Sequence, residues 1–111
     1  MIHKIDIKPL SVNCAYKGRR FKTQKYDTFI NSMLFLLPKI TLPQSPYSIN
    51  IVLGYSSKAS DIDNGLKSLL DCLVKKYGFD DREIYQMNVK KEIVKKGSEF
   101  IKFELNHYQN N

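Results

Sequence analysis

The stretch YSINIVLGY, Tyr47–Tyr55, alternates without a break: Tyr47, Ile49, Ile51, Leu53 and Tyr55 share one face. A strand with one apolar face requires a second layer to cover it, and two segments supply that layer. Tyr26, Phe29, Ile30, Met33, Leu34 and Leu37 recur at helical spacing, and Pro38 ends the run. A second helix is expected from about Asp63 to Tyr77, with Gly78 as its stop. HKIDIK reads as a first strand with Ile5 and Ile7 on one face. EIYQMNVKKEIV and SEFIKFEL read as a hairpin around KKGS. The pattern predicts an α+β fold in the order β-α-β-α-β-β, with two main helices packed on a small mixed sheet. At 111 residues, positions 1–111 are expected to form a single domain.

Several classes are set aside by composition. The longest apolar run, MLFLLP at Met33–Pro38, falls far short of the roughly 18 residues of a membrane span. MIHKIDIKPL alternates and has no signal-peptide hydrophobic region, so a cytoplasmic protein without a membrane partner is expected. Cys14 and Cys72 match no metal or redox spacing and read as reduced thiols.

Charge is unevenly spread over a chain of net charge +7. Residues 61–83 hold six acids (Asp61, Asp63, Asp71, Asp80, Asp81, Glu83) against four bases, and the other 88 residues hold five acids against fourteen bases. A basic body with one acidic spot suits a polyanionic partner and a bound cation. On a wheel with Asp63 at zero, Lys67 and Asp71 fall at roughly +40° and +80°, edging an apolar stripe of Leu66, Leu69, Leu70, Leu73 and Tyr77. Each acid also has a local reading. Ser60 with Asp63, and Asp80 with Glu83, have capping-box spacing, and Asp63 with Lys67 is an i,i+4 pair. Capping asks for one acid per helix start, however, and Asp61 and Asp63 both crowd this one. Carboxylates that close repel unless a cation lies between them.

A calcium loop is excluded, because glycine and glutamate would be needed where Leu66 and Cys72 stand. Oxygen ligands without His or Cys suit Mg²⁺ or Mn²⁺, which bind through a few carboxylates plus substrate phosphates. Phosphodiester hydrolysis uses that chemistry.

DIDNGLKSLLDCL followed by GFDDREI resembles the signature of the RusA family of Holliday junction resolvases. The elements are Asp-x-Asp-Asn, a lysine four residues after the second aspartate, an Asp-x-Leu later in the helix, a glycine, and an Asp-Asp pair. PLSVNCAYKGRRF is similar to the family's early Pro-x-x-x-Asn loop, and SPYSINIVLGY lies where the family has its central strand. The gap between the helix and the Asp-Asp pair is short here, and Gly65 stands where the family often has an apolar residue.

The resemblance implies that Asp61, Asp63 and Asp81 are catalytic acids holding Mg²⁺, with Mn²⁺ as an alternative and no organic cofactor. It implies that Lys67 is the essential lysine, and that Asn64, Asp71 and Asp80 are secondary members of the motif. It further implies a homodimer that places paired, symmetric nicks in a four-way DNA junction, in recombination and repair. The nicks would leave 5′-phosphate and 3′-hydroxyl ends.

Lys17, Arg19, Arg20 and Lys22 in the early loop are candidate phosphate contacts, with Tyr16 and Phe21 among them as packing or stacking residues. Lys90, Lys91, Lys95 and Lys96 form either a second phosphate track or a solvated edge. Two other readings share these features: a junction-binding adaptor without nuclease activity, and a less selective nuclease acting on flaps or forks.

Overall fold

The structure is a computed structural model that describes residues 1–11, 16–17 and 21–109; for residues 16, 17, 21 and 22 it describes the backbone alone. Strand β1 (His3–Ile5) is followed by a two-stranded ribbon, β2 (Tyr16–Lys17) and β3 (Phe21–Lys22). Helix α1 (Gln24–Leu36) starts at Thr23, whose hydroxyl accepts the Tyr26 N–H at 3.3 Å. This cap satisfies one of the amides that a helix start leaves bare. β4 (Tyr47–Tyr55), α2 (Leu66–Tyr77), a 3-10 turn (Asp81–Glu83), β5 (Ile84–Ile93) and β6 (Phe100–His107) complete the order. The fold is α+β with a mixed sheet and two helices, as the sequence predicts, and the ribbon is added within the early loop.

The main sheet runs β1-β6-β4-β5. β4 lies in its interior, antiparallel to β6 and parallel to β5. Both helices cover one face. Tyr26, Phe29, Ile30 and Met33 from α1 and Leu69, Cys72 and Leu73 from α2 meet Ile49, Ile51, Leu53, Ile101 and Phe103 of the sheet. The opposite face is polar, with Asn88 donating to Asn50 (2.8 Å) and Asn50 donating to Glu104 (3.3 Å).

Two expectations are corrected. β5 and β6 do not form a hairpin. The KKGS turn exists, with Gly97 at φ 94° and Ser98 N–H on Lys95 O, but β4 lies between the strands it joins. α2 carries the chain back from the end of β4, so β5 starts beside the beginning of β4 and runs parallel to it. β6 then takes the other side of β4, the most apolar strand. The second correction concerns α2, which begins at Leu66, not Asp63. Its N-cap is Gly65, without a side-chain cap. Asn64 N–H bonds Asp61 O and Leu66 N–H bonds Asp63 O, so residues 61–65 form a turn. Ser60 and Asp63 therefore build no capping box. Asp80 and Glu83 do build one at the 3-10 turn.

Gly54 is required by close approach. A Cβ there would stand 2.5 Å from two ring atoms of Phe100, which lies across it on the polar face. Lys4 and Lys102 place their ammonium groups 5.1 Å and 5.2 Å from the centre of that ring. Replacing Gly54 with Val is expected to displace Phe100 and destabilise the fold by about 1–3 kcal/mol. The measurement is urea unfolding, with a lowered midpoint and an unchanged slope.

Candidate active site

The candidate site is the turn 61–65, at the end of β4 and the start of α2. Four contacts fix it. Gly65 N–H donates to the hydroxyl of Tyr55, the last alternating residue of β4, in a buried bond of 3.0 Å. Pro9 presses on Gly65 from the other side, since a Cβ at Gly65 would lie 3.0 Å from the Pro9 Cβ. Ser11 donates to the Asn64 side-chain carbonyl at 3.0 Å. Lys91 of β5 donates its ammonium to Lys58 O at 3.0 Å and to Ser60 O, holding the chain just before Asp61. The turn is thus tied to β4, β5 and the segment after β1, while Asp61 and Asp63 are exposed.

The two carboxylates share a local field. Burial pushes the Tyr55 hydroxyl above its ordinary pKa; the Gly65 N–H opposes this, and the charges of Asp63 and then Asp61 push it further up. One buried hydroxyl therefore lies within electrostatic reach of both acids. Lys67 stands in the first turn of α2, exposed and close in sequence to Asp63. Asp71, one turn further on, accepts the Tyr26 hydroxyl at 2.9 Å and so joins α2 to α1. Beneath it Cys72 is a buried free thiol, its pKa pushed up to about 12 by burial and then by the Asp71 charge.

The Asp-Asp pair lies elsewhere. Asp80 caps the 3-10 turn through Arg82 N–H (2.9 Å), and its carboxylate pairs with the Arg82 guanidinium at 2.9 Å. The Arg82 backbone bond, then its side chain, lowers the Asp80 pKa. Asp81 opens that turn and is exposed. It precedes Ile84, which pairs with Tyr47 at the start of β4, whereas Asp61 follows Tyr55, which pairs with Ile93. Those two ends of β5 are about 30 Å apart at about 3.3 Å per residue. A single chain brings Asp61, Asp63, Asn64 and Lys67 together and leaves Asp80 and Asp81 at the far end. Among the described residues there is no group of three or more His, Cys, Asp or Glu side chains placed to hold a metal ion.

Arg19 and Arg20 lie outside the described residues, as do the side chains of Tyr16, Lys17, Phe21 and Lys22 and all of Cys14. The ribbon that carries the basic residues leaves the body next to Ser11, which bonds Asn64, and rejoins it at Thr23.

Tyr55 and Lys91 are site residues that sequence reasoning missed. Tyr55 reads as one more apolar strand position. Lys91 does carry a signal: it follows Met87 and Val89 in the helix-facing register of β5, where an apolar residue belongs. A lysine at such a position needs acceptors, and the carbonyls of the 58–60 segment provide them.

The family model described as Endodeoxyribonuclease RusA matches residues 11–103, which include the acidic turn, all of α2 and the Asp-Asp pair. This chain belongs to the RusA family. Membership implies endodeoxyribonuclease action on Holliday junction DNA. No curated protein matches the chain. Among the described residues no helix is long and apolar enough to cross a membrane.

Tyr55→Phe is expected to leave the buried Gly65 N–H without its acceptor and to cost about 1–3 kcal/mol. Hydrogen exchange at Gly65 should accelerate more than at Leu69 or Leu73, which report the body of α2. Equal acceleration at all three would mean that Tyr55 supports the whole fold and not the turn.

Proposed function

We propose that this protein is a divalent-metal-dependent endonuclease that resolves four-way DNA junctions by paired nicks, acting as a homodimer with Mg²⁺, or Mn²⁺, as its metal. One observation carries the reading: the matched family motif falls on an exposed turn, tied at its back, that presents two carboxylates and leads into the first turn of α2, where Lys67 stands.

Asp61 and Asp63 suit Mg²⁺ as a pair, since that ion keeps several waters and takes one or two carboxylates plus substrate phosphate. Bound there, the ion supplies a polarised scissile phosphate and a bound water of lowered pKa. Tyr55, Pro9, Ser11 and Lys91 hold the turn in place, so the carboxylates need no reordering when DNA arrives. Lys67 either balances the charge that builds on the phosphoryl oxygens or orients the attacking water. Lys17, Arg19, Arg20 and Lys22 follow in sequence after Ser11, which bonds Asn64, and are taken as contacts to phosphates that flank the scissile bond. Asp71, tied to Tyr26, positions α2, and Asp80 caps the turn that presents Asp81. A two-fold dimer suits a substrate that must be cut at two symmetric points.

The test is cleavage of a synthetic four-way junction with Mg²⁺ or Mn²⁺, beside fork and duplex controls. Asp61→Asn and Asp63→Asn are each expected to abolish cleavage while junction binding persists or tightens, because removing negative charge near phosphates lowers repulsion. Binding of junctions without cleavage by the wild-type protein under either metal would instead identify the adaptor. Comparable rates on forks would identify the less selective nuclease.

Lys67 is tested under single turnover with saturating enzyme. Lys67→Ala is expected to slow cleavage by about 10²–10³ with little change in binding. Lys67→Arg should restore little, since a planar fork replaces a compact ammonium. A near wild-type rate for Lys67→Ala would remove it from the chemistry.

A further inference from the structure

A cavity of about 760 Å³ opens beside the acidic turn, between the segment that follows β1 and one side of α1. Ser60 and Asn64 line it, and these two residues bracket the acids: Ser60 precedes Asp61, and Asn64 follows Asp63. A phosphodiester seated over the two carboxylates therefore has its own sugar and base next to this cavity. The volume lies within the range of sites that enclose drug-sized organic molecules, and a nucleoside is no larger than those.

The lining suits a flat heterocycle. Ile7, Pro9, Leu10 and Phe29 give it apolar surface. Gln24, Thr28 and Ser32 are spaced four residues apart, so they form one polar stripe along α1, and all three line the cavity. Among the described residues, no hydrogen bond engages the side chains of the stripe. Each of these groups can both donate and accept, as the edges of bases require. No acid lines the cavity among the described residues, whereas Lys8 and Lys25 line it and are exposed. Cations at the opening favour a polyanionic strand over a neutral or cationic guest. We propose that the cavity receives a nucleobase unstacked from the bound DNA strand beside the scissile phosphate, with its face on the apolar lining and its edge along the Gln24–Thr28–Ser32 stripe.

The substrate sets when a base can enter. A concave site cannot admit a base that is still inside a duplex, and extrusion costs unstacking and unpairing. That cost is least where the base is already unpaired or poorly stacked. The exchange point of a four-way junction interrupts the stack, so a base beside it leaves more cheaply than one inside an arm. The cavity thereby favours the branch point over the duplex arms without reading either groove.

This inference rests on the proposed nuclease reading for the path of the strand, but its readout needs no cleavage, so the two can fail separately. Junctions are made with 2-aminopurine at single positions around the exchange point, and its fluorescence rises when the base leaves the stack. Binding of the wild-type protein, without divalent metal so that the DNA stays whole, is expected to raise the signal severalfold at one position. A plain duplex of the same sequence should show no rise. Thr28→Trp sets a bulky ring at an exposed position and fills the cavity. It should abolish the rise while junction binding, carried by phosphate contacts, persists. Ser32→Phe serves as a second filling variant, with the fold of both checked by circular dichroism. The Gln24→Ala, Ser32→Ala double variant leaves the cavity open but strips its edge partners, and should reduce the rise.

A rise that is lost in the filled variants upholds the cavity even if neither Mg²⁺ nor Mn²⁺ supports cleavage. No rise at any position, or a rise that neither filling variant diminishes, overturns it even if the protein cuts junctions. An undiminished rise in the double alanine variant overturns the role of the stripe. A free nucleotide is the other source of the same chemistry, and it is tested by titrating deoxyadenosine monophosphate alone. Its binding is expected to be far weaker than that of the junction. Tight binding of the mononucleotide, with no rise in any junction, assigns the cavity to a free nucleotide and overturns the proposal. A protein that binds no branched DNA overturns it together with the nuclease reading.

Discussion

The parallel pairing of β4 with β5 is the constraint on which the rest of the structure depends. Parallel neighbours cannot be joined by a tight turn, so the chain must travel back along the sheet between them, and α2 is that return path. The acidic turn becomes the bend from β4 into α2, and the Asp80–Glu83 box becomes the bend from α2 into β5. The two acidic segments, close in sequence, are therefore driven to opposite ends of the sheet. The crossover that makes a firm base for Asp61 and Asp63 is the same crossover that removes Asp81 from them.

The turn itself is stiff behind and open in front. Its amide at Gly65 is buried against Tyr55, and a Cβ there would press on Pro9 at 3.0 Å and on the Tyr55 hydroxyl at 3.2 Å. Its lead-in segment is bonded by Lys91, whose charge strengthens both contacts. The two aspartates meet solvent. Asp80 pairs with Arg82 beyond the far end of α2, and further ion pairs join Lys4 to Asp6 and Lys90 to Glu92. Rigid backing with exposed carboxylates is an arrangement suited to receiving a cation and a phosphate.

Legibility in the sequence followed the range of the interaction. The strand at Tyr47–Tyr55 and the helix ending near Pro38 were readable because periodicity and proline act within a few residues. The Asp80–Glu83 capping box was readable for the same reason. The start of α2 was misread because the apolar spacing runs on past its real limit. Gly65 and the short bonds of the 61–65 turn hold Asp63 out of the helix. The roles of Tyr55 and Lys91 depend on partners more than ten residues away and could not be read from spacing, although a lysine in an apolar register was a visible anomaly.

The sequence by itself determined the α+β class, the position of the central strand, the two helices and the acidic motif that places the chain in the RusA family. All of these rest on local periodicity or on short ordered patterns. Tertiary structure alone decided the strand order, and with it the company each aspartate keeps. KKGS between two alternating segments satisfies every local rule for a hairpin, yet β4 lies between those strands. Its own apolar face and two ladder edges gain more from an interior place than the hairpin gains from closure. A choice of that kind is made by burial and pairing summed over the whole sheet, and no short window of sequence contains it.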